Sequence, residues 1–291
     1  MMKMNILPVP TFNRLRLNET EVDHTPGNIR QIKITSSARL DFTDDEDVRV
    51  LINVPKGKSI TVIMNFKFSD TLSIETVIDA AYASSLTLIQ ADNAVRAGKL
   101  INRISADASE DANIHLIRMY PGCGDVYSDC LVNLNGKHSS LRADTAYICH
   151  KGQHIDINIV ARHFGKKTES AINANGVLAA NAEKSFKGTI DFKTGCAGSS
   201  GDEREKVLLI GDDMINRSIP LILCTEEDVQ GAHGANIGSI DEEMLFYLES
   251  RGMSEDEAVR FMINGMFSSL LDMTKDEEIT DMINTRLSSV I

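Results

Sequence analysis

Apolar residues alternate with other residues along much of this chain, with a period of two. Val48, Val50, Ile52 and Val54 form one such run, and Ile60, Val62, Met64, Phe66 and Phe68 form another. Successive side chains of a strand point to opposite faces, so this period commits both segments to strands with one buried face. Shorter apolar runs follow at 86–89, 114–119, 131–134, 146–149, 155–160 and 177–179. Asn135-Gly136 and Asn175-Gly176 read as turns between them. Residues 76–84 and 91–100 each have room for a helical turn or two, but no long helix interrupts the region 29–224. That argues against a doubly wound α/β fold and for a mainly β one. The repeat is too irregular to choose among a sandwich, a jelly roll and a β-helix.

The period changes near residue 239. Ser239 with Glu242, and Ser254 with Glu257, have the spacing of capping boxes, in which a hydroxyl and a carboxylate satisfy the first free N–H groups of a helix. Arg251-Gly252 between them suits a helix C-terminus. Ala258, Phe261, Met262 and Met266 fall at helical spacing, which predicts core packing, with a partner surface as the sharper reading. Thr274 and Glu277 predict the start of a third helix with Ile279, Met282, Ile283 and Leu287 along one stripe. The helices are expected on the end of the β core. Residues 1–28, with Pro8, Pro10, Pro26 and Gly27, read as an irregular arm. The expected division is therefore an arm at 1–28, a β core at 29–238 and a helical segment at 239–291.

A chain of 291 residues can bury a sizeable core. Its net charge of −12 argues against nucleic acid and against an anionic membrane surface as partners. No apolar run reaches the length of a membrane-spanning helix, and the first residues lack a signal-peptide pattern. Five cysteines in a chain this long do not form a secreted disulfide framework, so a reducing cytoplasm is the expected location.

The usual catalytic motifs are missing. Gly57-Lys58-Ser59 has Ile52 where a phosphate-binding loop requires its first glycine. Neither a dinucleotide fingerprint, a nucleophile elbow nor a His-Glu-x-x-His zinc motif occurs. If ATP drives the function, the nucleotide site is expected on another chain. Metal or cluster chemistry is the better lead, since thiolate and imidazole suit iron–sulfur species. The cysteines are nevertheless scattered, with no Cys-x-x-Cys. Cys196 lies among glycines and serines, which predicts an accessible thiol, either a ligand or a bystander. Cys224 ends an apolar strand, where a small core hydrophobe is the first reading and a ligand the second. Glu226, Glu227 and Asp228 read as a solvated acidic turn, His163 as a structural hydrogen-bonding group, and Cys123 and Cys149-His150 as loop or core residues.

One stretch is far more specific. Pro220-Leu221-Ile222-Leu223-Cys224, the run Glu226 to Ala235, Ile237-Gly238, Asp241-Glu242, Leu245 to Leu248 and Ser250-Arg251-Gly252 resemble the C-terminal end of the SufB/SufD family, scaffold proteins of the SUF iron–sulfur cluster assembly system. The segment Lys193 to Gly201 resembles the family's glycine- and cysteine-containing segment. The resemblance implies a right-handed parallel β-helix core and a C-terminal helical dock for the SufC-type ABC ATPase. It also implies a second SufB/SufD-type protomer, as homodimer or heterodimer, and a sulfur donor.

His233 occupies the histidine position of the family motif, and so becomes the first candidate ligand of a transient cluster. Ala232 and Gly234 replace the glutamates that flank this histidine in SufB, which brings the chain closer to SufD. Aligning Leu208 to Asp212 on the family's Leu-Leu-x-Gly-Asp segment places Glu205 where SufB carries a functional cysteine. Cys196 and Cys224 are similar to cysteines of shorter SufB/SufD-like proteins. The candidate set is thus His233, Cys196, Glu205 and Cys224, in a non-catalytic scaffold. The alternative from another class is a β-helix protein that cleaves or binds polysaccharide. The chain has no tryptophan for stacking on sugars, and no pair of catalytic carboxylates stands out.

Overall fold

The computed structural model describes residues 1–43, 45–94, 97–122 and 124–287. Cys123 and the Leu287 side chain lie outside the described residues. Within the arm, β1 (Met2–Met4) and β2 (Thr20–Val22) form a short antiparallel pair, so the arm is more regular than its prolines suggest. Sixteen further strands follow: β3 (Ile29–Ile34), β4 (Ala38–Phe42), β5 (Asp47–Val54), β6 (Ser59–Phe66), β7 (Thr71–Ala80), β8 (Ser85–Asp92), β9 (Lys99–Ala108) and β10 (Asn113–Tyr120). The series continues with β11 (Asp125–Leu134), β12 (Ser140–Cys149), β13 (His154–His163), β14 (Glu169–Leu178), β15 (Glu183–Phe192), β16 (Ser199–Leu209), β17 (Ile215–Cys224) and β18 (Val229–Ser239).

From β3 onward, odd strands build one sheet of eight and even strands another, each in sequence order. Every pairing in both sheets is parallel. The chain therefore winds as a solenoid, a parallel β-helix with two strands per coil. The apolar residues of the alternating runs face inward, and the core lies between the two sheets. A parallel pair cannot be closed by a hairpin, so each strand is paired with residues a whole coil away.

A stacked turn holds the coils in register. Gly57, Ala83, Asp111, His138, Lys167 and Gly198 all adopt left-handed φ, from 53° to 79°. Their N–H groups donate to the carbonyls of Tyr82, Glu110, Lys137, Lys166, Ala197 and Asp228 on the next coil, at 2.7–3.0 Å. A side chain at left-handed φ costs about 1–2 kcal/mol. Ala83 is exposed and lacks the polar side chain that eases this conformation. Ala83→Gly should therefore stabilise the fold by about 0.5–1 kcal/mol, after the entropic cost of glycine is offset. A urea titration reads the shift, and an unchanged or lower midpoint refutes it.

Three helices follow: α1 (Glu242–Ser250), α2 (Glu255–Thr274) and α3 (Glu277–Leu287). They do not cap the end of the solenoid. Val259, Ile263, Phe267 and Leu270 of α2, with Ile279 and Ile283 of α3, cover the outer face of the even sheet at Ile89, Ile117, Ala146 and Val177. These strands therefore carry apolar residues on both faces, a requirement of sheets buried on two faces. Arg39 ties α3 to the first coils through Asp276 (2.6 Å) and Glu278 (2.5 Å). The capping box at Ser254 and Glu257 forms, and Gly252 takes a left-handed φ of 94°.

Several local expectations are corrected. Ser239 ends β18, and Asp241 caps α1 instead, accepting from the N–H of Glu243 and Met244. Thr274 is the last residue of α2, and Asp276 accepts from Ile279 at the start of α3. Phe261 lies on the exposed face of α2, at 57% exposure, because the buried stripe runs through Val259 and Ile263. Residues 76–80 belong to β7, and 91–92 and 99–100 to β8 and β9, since their alternation continues the inner faces of neighbouring coils. Asn175-Gly176 lies inside β14 rather than in a turn. A Cβ at Gly176 would sit 2.0 Å from the Tyr147 ring, so the glycine makes room for that ring on the adjacent strand.

Candidate functional site

The last coil is where the candidate residues gather. β17 and β18 end their sheets, with no strand beyond them among the described residues, and every residue of β18 from Gln230 to Ile237 is exposed. Ile215, Ile222 and Ile237 are exposed large apolar side chains on these two strands. An uncovered strand edge of this length presents unpaired backbone groups to any further strand.

His233 lies on β18 in register with Glu203 of β16, and Ala235 in register with Glu205. Glu203, Glu205 and Val207 are the buried positions of β16, which face the interior. The strand alternation therefore puts His233 on the interior face too, at the open mouth of the solenoid. Its side chain makes no hydrogen bond among the described residues.

Glu205 is not free at this mouth. Its carboxylate is paired with the Lys184 ammonium, and the two side chains are 1% and 0% exposed. Tyr147 donates to the same oxygen of Glu205 at 3.2 Å. Lys184 also donates to the carbonyl of Arg217 and to Ser218 Oγ, both at 3.2 Å. Burial lowers the Lys184 pKa despite the neighbouring carboxylate, and burial with the Glu205 charge raises that of Tyr147 well above the usual phenol value. Glu203 is 3% exposed, and burial followed by the Glu205 charge pushes its carboxyl up to about 7.

Cys196 and Cys224 lie apart from His233. Four residues of strand separate Ser199, beside the Cys196 turn, from Glu203, roughly 13 Å at the usual strand rise. Cys196 is fully buried, and burial raises its thiol pKa, which corrects the expectation of an accessible thiol. Its turn is folded inward by the N–H of Ser199, which donates to the Cys196 carbonyl at 3.2 Å. Cys224 is exposed rather than in the core, because no coil follows to cover the inner face of β17. Its thiol donates to the carbonyl of Glu226 at 2.9 Å. The Glu226 carboxylate accepts from the N–H of Gly195 (2.8 Å) and Glu227 (3.1 Å), and these backbone bonds lower its pKa. The acidic turn thus clips the Cys196 loop to the last coil. Among the described residues no three His, Cys, Asp or Glu side chains converge into a metal-binding group.

His163 is structural, as expected. It is buried, with Nδ1 2.7 Å from Thr168 Oγ1 and Nε2 2.9 Å from Ser170 Oγ, and it stacks on Phe192 with ring centres 4.7 Å apart. Cys149 is buried, and His150 Nε2 lies 3.2 Å from the Pro121 carbonyl. The sequence reading missed Glu203, Lys184 and Tyr147. The run Asp202 to Lys206 is charged throughout, so hydropathy marks it as a solvated face.

A family model described as the SufBD core domain of the SUF system for FeS cluster assembly matches residues 43–266. Over 234 residues the chain is 26% identical to an iron–sulfur cluster assembly protein SufD of Bacillus subtilis, covering 77% of this chain and 52% of that protein. It is 28% identical over 163 residues to an iron–sulfur cluster assembly SufBD family protein of Mycobacterium leprae, covering 54% of this chain and 18% of the relative. A SufD of Escherichia coli is 25% identical over 154 residues, 53% of this chain and 36% of that protein. The chain thus spans about half or less of the length of these relatives.

Proposed function

The chain belongs to the SufB/SufD family of iron–sulfur cluster assembly proteins, and from that premise we propose that it is a non-catalytic scaffold subunit that transiently holds nascent cluster. The observation that carries this reading is the open last coil. It presents His233 at the mouth of the solenoid between two unpaired strand edges, which a second SufB/SufD-type protomer would extend. Ligands contributed by two protomers can be brought together and separated, which suits a cluster that must be released.

The helical segment is the proposed dock for a SufC-type ABC ATPase. Met244, Phe246 and Tyr247 of α1 and Phe261 of α2 are exposed, Phe246 to 73%. Large exposed apolar side chains in one region mark an interaction surface. Nucleotide-driven movement of the ATPase would then alter the contact between protomers, and with it access to the cluster. A sulfur donor supplies the sulfide in this scheme. No helix among the described residues is long and apolar enough to cross a membrane; a cytoplasmic site of action is part of the proposal. Family membership favours this role over the polysaccharide one.

Anaerobic co-purification with a SufC-type ATPase, with iron and acid-labile sulfide quantified, tests the reading. The wild-type complex should carry both. His233→Ala should keep the ATPase but lose most of the iron and sulfide, and Phe246→Asp should lose the ATPase. Full loading of His233→Ala would remove that residue from the site, and polysaccharide cleavage without ATPase binding would overturn the scaffold role.

A further inference from the structure

The helices leave a gap over the last coils. α2 rests on the even sheet at Ile117, Ala146 and Val177. Toward the last coil the outward positions turn polar or small: Asn173 and Asn175 of β14, Arg204 and Lys206 of β16, then Gly234 of β18. The apolar stripe of α2 has nothing to pack on there, and a cleft of about 640 Å³ opens between helix and sheet. That volume falls in the usual range of small-molecule sites. Leu270 and Met273 of α2 form its apolar wall. Its floor recedes at β18, where a Cβ on Gly234 would meet nothing within 4 Å.

The carboxylates around the cleft are taken up. Asp144 is held by His115 Nε2 at 2.7 Å, Arg142 Nε at 2.6 Å and Asn173 Nδ2 at 2.9 Å. Asp202 accepts from Arg204 at 3.0 and 2.8 Å. Glu205 points the other way, into the lumen, where Lys184 neutralises it. What is left over is cationic. Lys206 lies two residues along β16 from Arg204, on the same face, about 7 Å away at the usual strand rise. It is exposed and has no ion pair or side-chain hydrogen bond among the described residues. Asn175 stands beside it in register, half-buried and equally unpartnered among those residues. Arg204 keeps donors of its own, since a guanidinium carries more N–H groups than one carboxylate takes up. In a chain of net charge −12, this local excess of positive charge beside an apolar wall selects for an anion.

We propose that the cleft binds a small phosphomonoester with an apolar body. The phosphate lies on Arg204 and Lys206, with the Asn175 amide donating to it, and the apolar part lies against Leu270 and Met273. A phosphate monoester brings several strong acceptor oxygens and nearly a double charge, which suits a guanidinium, an ammonium and an amide together. A carboxylate would leave one of those donors unused. The thioether of Met273 adapts to apolar groups of varied shape. The site is on the face of β18 opposite His233, so it does not depend on the cluster-holding role.

1-Naphthyl phosphate is the probe, titrated into the protein and followed by its fluorescence. Inorganic phosphate and 1-naphthol are the comparison ligands. The expected result is saturable binding of one probe per chain, at least about tenfold tighter than either comparison ligand. Lys206→Met should weaken it at least about tenfold, the worth of one charge-assisted hydrogen bond. Gly234→Leu, which projects into the open cleft, should weaken it by a similar factor. Both positions have free space around them, so both variants should melt with the wild type, and a loss of binding is then not a loss of fold. Lys58→Met makes the same charge change at an exposed position in the first coils and should bind as wild type does.

Inorganic phosphate binding as tightly as the probe would mean an adventitious ion only, and 1-naphthol doing so would mean a bare apolar cleft. Either result overturns the proposal. So does wild-type affinity in Lys206→Met or Gly234→Leu, or the absence of saturable binding.

Discussion

Lys184→Met is expected to destabilise the fold by about 3–5 kcal/mol, the range for breaking a buried ion pair from one side. The substitution leaves the Glu205 carboxylate in a space that is 1% exposed, with Tyr147 as its remaining donor. The double variant Lys184→Met/Glu205→Leu should recover most of that loss. Removing both charges together removes both desolvation costs, and apolar replacements of buried pairs are often neutral. Lys184 already lies 5.8 Å from the centre of the Phe186 ring and 6.0 Å from that of Tyr147, so a methionine there meets aromatic faces. Urea unfolding of the wild type, both single variants and the double closes the cycle. A coupling energy near zero would show that the pair contributes nothing beyond its two separate burials.

Acid should act through His163. Burial pushes its pKa down to about 4 from an ordinary 6.5. The unfolded chain therefore takes up the proton first. The contribution of neutral His163 is complete above pH 6.5 and is lost as the pH falls toward 4. By pH 4 the loss is about 3 kcal/mol, at 1.36 kcal/mol per pKa unit.

Asp92 and Glu203 work in the opposite sense, since burial raises both to about 7 and their protonation on acidification favours the folded chain. The measurement is accordingly the difference between wild type and His163→Gln at each pH, in which those carboxylates cancel. The variant should be the less stable at pH 7.5, because it loses the ring stacked on Phe192. Its deficit should shrink or reverse by pH 4. A difference that stays constant with pH would mean that His163 does not titrate below its ordinary range.

Much of the β core was legible because its signal is local. The runs at 48–54 and 60–68 carry an apolar residue at every second position, and they lie in β5, in β6 and just beyond it. The segment that builds the site was not legible in the same way. β15 carries Lys184 and Lys187 at buried positions, and β16 carries Glu203 and Glu205. Charged residues look solvated until their partners are known, and these partners are distant in sequence: Glu205 on the facing sheet for Lys184, and Asp156 one coil earlier, at 3.3 Å, for Lys187. Asn175-Gly176 has the composition of a turn, yet its glycine answers to Tyr147, a coil earlier. Resemblance found His233 and directed attention to Glu205, but only the register placed Glu203 beside the histidine.

By itself the amino-acid sequence determined a β core followed by a helical segment, the caps at Ser254 and Gly252, and membership in a cluster-assembly family. These rest on patterns within a few residues, or on an ordered motif that survives without coordinates. The tertiary structure alone decided that the helices lie along a sheet face, that Cys196 is enclosed while Cys224 is exposed, and that one acidic residue is neutralised while its neighbour is not. In a solenoid each inward side chain is judged by residues on the facing sheet or one coil away, and no local pattern carries that information.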